Sequence, residues 1–111
     1  MWNVLFYDSL DSTNTFAWEQ LSQGSLRHGD VIQAGHQTGG RGRFNNRNWA
    51  DEPGASLLMS VILTEINTTL LPLLSFVAGL AVVRALRRGQ TAINSDRVRL
   101  KWPNDILIER K

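Results

Sequence analysis

Residues 31–43 read Val31-Ile32-Gln33-Ala34-Gly35-His36-Gln37-Thr38-Gly39-Gly40-Arg41-Gly42-Arg43. Positions 31–37 have the make-up of a strand, and that strand runs straight into a loop of glycines and arginines. Gly39, Gly40 and Gly42 let the backbone come close to a ligand and take positive φ. Arg41 and Arg43 offer planar donors matched to carboxylate or phosphate. A strand that ends in such a loop suggests an α/β anion site, because ligands in open sheets gather at strand ends. Glycine and arginine mixtures also occur in disordered RNA-binding tails, and these residues alone leave both readings open.

The flanking sequence supplies the rest of an α/β pattern. On the N-terminal side, residues 3–7 (Asn-Val-Leu-Phe-Tyr) predict a strand, broken by residues 8–11. Ser12-Thr13-Asn14 then has N-cap chemistry for a helix over about 13–23, with Phe16, Ala17 and Leu21 at helical spacing and Gly24 at its end. A polar turn, Arg27-His28-Gly29-Asp30, leads back to the decisive strand. On the C-terminal side, Asn45-Asn46-Arg47-Asn48 prolongs the loop without periodicity, so residues 39–49 are expected to be mobile without ligand. Residues 56–64 predict a largely buried strand. Thr68 or Thr69 is the expected cap of a long helix, with Pro72 in its first turn and Gly89 just beyond its end. Its most apolar part, residues 70–86, is interrupted by Pro72, Ser75, Gly79 and Arg84, which favours a buried helix over a membrane span. Arg84, Arg87 and Arg88 in the last turns fit the macrodipole and solvent better than a ligand. Residues 97–102 and 105–109 predict two strands bracketing Pro103-Asn104 as a hairpin. The expected class is therefore α/β (α+β), a mixed β-sheet with helices packed on it, without repeats or linkers and as a single domain over 1–111.

Composition supports a folded site over a tail. A chain of 111 residues with 42% hydrophobic content can form one core. The net charge of +2 does not by itself argue for nucleic acid. With no cysteine, a disulfide framework, a thiol nucleophile and a thiolate metal site are excluded, which suits a cytoplasmic location. Residues 1–8 show no basic segment followed by an apolar one, so no secretory signal is expected. His28 and His36 fall on a turn and a strand with no carboxylate pair nearby, and a zinc site is not expected. There is no Gly-x-Ser-x-Gly elbow, no P-loop, and Asn45 stands where a dinucleotide fingerprint needs its third glycine.

Two further features join the loop. Ser12 and Thr13 open a helix after one strand, for which helix capping is a sufficient local reason. Lys101, between Leu100 and Trp102, closes another strand. A half-buried lysine there would need an anionic partner, while a snorkelling surface lysine is the alternative.

Ser12-Thr13-Asn14, Gln37-Thr38-Gly39-Gly40-Arg41-Gly42-Arg43, Trp49, Gly54-Ala55-Ser56-Leu57 and Lys101-Trp102-Pro103-Asn104-Asp105 occur in the order seen in biotin–protein ligases, which the chain resembles over almost its whole length. Lipoate–protein ligases are similar in fold, but the Gly-Arg-Gly-Arg loop and the Lys-Trp-Pro-Asn-Asp segment point to the biotin branch. The resemblance implies a class II aminoacyl-tRNA synthetase-like, biotin–lipoate ligase catalytic fold. It implies ATP-dependent conversion of biotin to biotinyl-5'-AMP and transfer to a lysine of a carboxylase biotin carrier domain, with Mg²⁺ on the phosphates and no protein metal site. Carried over, Ser12, Thr13, Asn14, Gln37, Gly40, Arg41, Gly42, Arg43 and Lys101 bind biotin. Arg41, Arg43, Trp49 and Asn104 form the adenylate loop, and Arg43 and Lys101 are catalytic.

The chain also departs from the family pattern. Phe44-Asn45-Asn46-Arg47-Asn48 stands where the family usually has a Gly-Arg pair, and it is one residue longer. The sequence stops at Glu109-Arg110-Lys111, where the family continues into a Gly-Ile-Leu strand, more of the sheet and a small C-terminal β domain. Turnover by this span alone is therefore expected to be impaired. No helix-turn-helix module precedes Met1, so DNA binding through one is not expected. A sheet edge near residues 105–109 would favour a homo-oligomer. A non-catalytic biotin or adenylate binder and a basic nucleic-acid module remain as alternatives.

Overall fold

A computed structural model describes residues 2–42, 49–89, 97–101 and 105–108. The chain forms two compact units, Met1–Glu65 and Ile66–Lys111. The first holds strand β1 (Asn3–Tyr7), helix α1 (Thr13–Ser22), β2 (Asp30–Ala34) and β3 (Leu58–Val61). β1 and β2 are parallel neighbours joined through α1, a βαβ unit, and β3 pairs antiparallel to β2 from the other side. Both elements predicted for residues 3–23 form, and Ser12 is the N-cap.

Register decides what the sheet buries. Leu5 lies opposite Ile32, Tyr7 opposite Ala34, and these two β2 residues lie opposite Ser60 and Leu58, so all six share one face. α1 covers that face. Ala17, Ile32 and Ile62 form the buried centre, with Leu5, Tyr7, Leu10, Phe16, Leu21 and Leu26 packed around it. The Tyr7 and Phe16 rings meet at 4.8 Å with a 59° tilt, a favourable aromatic geometry. Polar turns finish the unit. Asp30 accepts from the Arg27 backbone N–H at 2.8 Å and from Asn3 Nδ2 at 3.3 Å, which holds its carboxyl below the usual carboxylate range. His28 Nδ1 accepts from the backbone N–H groups of Thr64 and Glu65.

Two expectations for this unit are corrected. The decisive strand ends at Ala34, three residues early, because the chain bends at Gly35, leaving only a single bridge between Gln37 and Leu10. The strand expected over 56–64 spans only Leu58–Val61 and is not buried on both faces: Met59 and Val61 are exposed while Leu58 is buried. It is the last strand of its three-stranded sheet.

The second unit begins with a 3-10 turn (Thr68–Leu73) that continues into helix α2 (Leu74–Arg88), followed by β4 (Val98–Lys101) and β5 (Asp105–Ile108). The cap is Asn67 rather than Thr68 or Thr69: its side chain accepts from the Thr69 N–H at 3.0 Å. Pro72 has no N–H to donate to an α-helical ladder, and it sits in the 3-10 turn. The predicted burial is also corrected, since only Gly79 and Val83 of α2 are buried and Leu70, Leu71, Leu73, Val77, Leu80 and Val82 are exposed. Residues 68–88 contain an 18-residue window of mean hydropathy 2.0 and are long and apolar enough to cross a membrane by length and composition. The helix nevertheless packs on β4 along one stripe. Gly79 is what allows it, since a Cβ there would stand 2.7 Å from Leu100 Cδ1. Arg87 donates from Nη2 to the Val98 carbonyl at 2.9 Å, so one of the three helix-end arginines ties α2 to β4. β4 and β5 pair antiparallel with Lys101 opposite Asp105, as a hairpin requires, and Trp102, Pro103 and Asn104 lie outside the described residues.

Candidate functional site

The end of β1, the start of α1 and the segment after β2 are laced together. Leu10 donates to the His36 carbonyl, Thr38 to the Leu10 carbonyl at 3.0 Å, and Gly39 to the Asp11 carbonyl at 2.6 Å. The first turn of α1 is then capped from two sides. Ser12 Oγ accepts from the Thr15 N–H at 3.3 Å, and Gln37 Oε1 accepts from the Thr13 N–H at 2.8 Å. Gln37 therefore serves α1 from 24 residues away. Thr13 Oγ1 meets Ser60 Oγ at 2.8 Å, joining α1 to β3. Arg41 lies against the same turn, donating from Nη2 to Thr15 Oγ1 at 2.8 Å.

These contacts wall a cleft of about 300 Å³ lined by Ser12, Thr13, Asn14, Gln37, Arg41, Trp49 and residues 57–60. A second hollow of about 240 Å³ lies between Ser12, Asn14, Arg41 and Gly42. The first turn of α1 contains no acidic residue, and its positive dipole end stands beside the Arg41 guanidinium. That combination favours a negatively charged group, although Asp11, which accepts from the Ser12 N–H at 2.7 Å, tempers it.

The glycines act through space rather than torsion. Among the described glycines, positive φ occurs at Gly24, Gly29 and Gly54, and not at Gly39, Gly40 or Gly42, which corrects the expectation for the loop. Gly40 is buried, and a Cβ on it would lie 2.8 Å from Gln37 Nε2 and 3.0 Å from both Cβ and the carbonyl oxygen of Trp49. Trp49 donates its backbone N–H to the Gly40 carbonyl at 2.8 Å, so the chain returns to the cleft there. Gly40→Ala is expected to displace the Gln37 amide or Trp49 and to weaken a cleft ligand about tenfold. Calorimetric titration with biotin reads this, and unchanged affinity would show that the close approach is unimportant.

Of the residues singled out from sequence, the structure gathers Ser12, Thr13, Asn14, Gln37, Arg41 and Trp49 at this cleft, with Gly42 at the second hollow and Gly40 packed against Gln37 and Trp49. Lys101 belongs to the second unit, where it closes β4 and is exposed rather than half-buried. Arg43 and Asn104 lie outside the described residues, as does the Phe44-Asn45-Asn46 departure. Sequence reasoning missed Leu58, Met59 and Ser60 as cleft walls. It also missed Asp51, whose carboxylate meets His36 Nδ1 at 2.8 Å and accepts from the Gln37 N–H at 3.2 Å. The period of β3 was the available signal for Leu58 and Ser60, and nothing local signalled the pairing of Asp51.

The profile of the biotin/lipoate A/B protein ligase family matches residues 6–111. The chain belongs to that family. Among curated ligases, this member is 37% identical over 111 residues to the bifunctional ligase/repressor BirA of Salmonella typhimurium, with 98% of this chain and 32% of that protein covered. It is 36% identical over 98 residues to the biotin–[acetyl-CoA-carboxylase] ligase of Mycobacterium tuberculosis, covering 86% and 36% of the two chains. The ligase domain fold is shared with the biotin protein ligase of Leishmania major in complex with biotinyl-5-AMP, at TM-score 0.78 and 28% identity, covering 96% of this chain and 47% of that one. The Helicobacter pylori biotin acetyl coenzyme A carboxylase synthetase with bound biotinylated ATP aligns at TM-score 0.66 and 27% identity, over 97% and 50% of the two chains. The chain thus spans about a third of the length of these two curated ligases and about half of the two solved ones.

Proposed function

We propose that this chain carries the biotin and adenylate site of a biotin–protein ligase. The observation that carries the reading is the convergence of Ser12, Thr13, Asn14, Gln37, Arg41 and Trp49 on one cleft at the start of α1, in a family whose solved relatives hold biotinyl-5-AMP. The ligand would be held by groups that the fold leaves available. Gln37 Oε1 is already used by Thr13, so its Nε2 amide is the donor to biotin. The Ser12 hydroxyl accepts from Thr15 and keeps its own proton to give. Gly40 and Gly42 let the backbone approach, and Arg41 faces the negative end.

In the first step the biotin carboxylate attacks the α-phosphate of ATP, forming biotinyl-5'-AMP and releasing pyrophosphate. Two anions must meet for that bond to form, and the resemblance to the family assigns to Arg43 and Lys101 the positive charge that lowers the repulsion. In the second step a lysine amine of a carboxylase carrier domain attacks the mixed anhydride and AMP leaves, while Trp49, Asn104 and the arginines at the adenylate keep water from attacking first. Among the described residues no group of three or more His, Asp or Glu side chains could hold a metal. In this reading Mg²⁺ enters on the triphosphate of ATP.

Biotin-dependent exchange of pyrophosphate into ATP tests the first step. Exchange that requires biotin is expected, and biotin binding without exchange would reduce the reading to a ligand-binding fragment. Self-association is part of the proposal, because among the described residues β5 pairs with β4 alone and its other edge is open. Sedimentation at micromolar concentration should show a dimer or larger species, and a clean monomer would remove this part.

A further inference from the structure

Asp51 is outside the residues assigned above, yet its side chain is only 1% exposed. A carboxylate so withdrawn from water must be compensated by partners. Among the described residues it has two, and both belong to the segment that leads into the glycine and arginine loop. Asp51 Oδ2 meets His36 Nδ1 at 2.8 Å, and Asp51 Oδ1 accepts from the Gln37 backbone N–H at 3.2 Å. The His36 contact is also the main cause holding the carboxyl below the usual range, so the group is ionised at neutral pH. A further rung closes the same junction from inside, the Trp49 N–H donating to the Gly40 carbonyl at 2.8 Å. Residues 36–40 and 49–51 are therefore clamped together at the root of the loop.

The clamp bears on the cleft through Gln37. Asp51 fixes the backbone of that residue, whose side chain caps Thr13 at 2.8 Å and whose Nε2 lies where a Cβ on Gly40 would collide. We propose that Asp51 is a positioning residue: through His36 and the Gln37 amide it fixes the Gln37 carboxamide and Trp49 at the cleft wall in the geometry that receives ligand. The structural half of this inference stands on the contacts alone, and the ligand half rests on the biotin reading above.

Asp51→Ala and Asp51→Asn test it in the full-length protein, by amide hydrogen exchange and by calorimetric titration with biotin. Alanine removes both acceptors. The Gln37 and Thr13 amides should then exchange about tenfold faster, the Ile32 amide in the sheet should not change, and biotin should bind about tenfold more weakly. Asparagine keeps an acceptor for Gln37 and a polar partner for His36, and it should recover most of both effects. Unchanged exchange at Gln37 in the alanine variant would overturn the proposal. So would a uniform acceleration that includes Ile32 and is not relieved by asparagine, since that marks a general stabiliser. Absence of biotin binding in the parent would instead fault the functional reading, and the exchange result would still decide whether Asp51 positions Gln37.

Discussion

Lys101→Ala is expected to slow biotin-dependent ATP–pyrophosphate exchange by about 10²–10³ while changing the stability of the unliganded protein by less than about 1 kcal/mol. The asymmetry follows from where the lysine sits. It closes β4 with an exposed side chain, and among the described residues no ion pair reaches it, although Asp105 lies opposite in the β-ladder. A cross-strand pair of opposite charges contributes roughly 0.2–1 kcal/mol, so folding should scarcely register its loss. The reaction should register it strongly, because a carboxylate and a phosphate cannot approach without a cation nearby. Exchange kinetics and thermal melting on the same preparation separate the two. Equal losses in both would make Lys101 a structural residue and leave the charge on the reacting groups without its proposed source.

Ile32→Ala should have the largest effect on folding, about 2–5 kcal/mol of destabilisation. Ile32 is 0% exposed in the central strand of the first sheet, in the same cluster as Ala17 and Ile62. Removing most of its side chain leaves a cavity between sheet and helix that the neighbours can fill only in part. Since a domain is stable by only about 5–15 kcal/mol, a large fraction of the margin would disappear. Urea unfolding reads this as a lowered midpoint, with Trp18→Ala as the comparison because Trp18 on the same unit is 67% exposed. A shift for Ile32→Ala no larger than that for Trp18→Ala would show that the core has been placed wrongly.

Much of the first unit could be read from the sequence because its signals are local. Ser12 before an apolar-periodic segment marks a helix start, and the glycines of residues 39–42 mark a close approach wherever it occurs. The family motifs then placed Ser12, Thr13, Asn14, Gln37, Arg41 and Trp49 at one cleft, and the structure brings them there. What escaped depends on partners distant in sequence. An apolar run such as residues 56–64 reads alike whether one face is covered or two, so the exposed face of β3 could not be foreseen. Pro72 announced a helix start without revealing that its turn would be 3-10. His36 was weighed as a metal ligand, whereas its partner is Asp51 across the loop, and Gln37 was weighed for a ligand although its Oε1 caps α1. Of the two reasons the glycines gave, positive φ does not hold at Gly39, Gly40 or Gly42, while close packing does at Gly40, where a Cβ would meet Gln37 and Trp49.

Calorimetric titration of the full-length protein with biotin, with and without ATP, tests most directly the claim that the cleft at the start of α1 is a biotin site. The account predicts one saturable site per chain, weakened about tenfold by Gly40→Ala, which alters that cleft and nothing in the second unit. No binding heat under either condition, or full affinity in the Gly40→Ala variant, would contradict it.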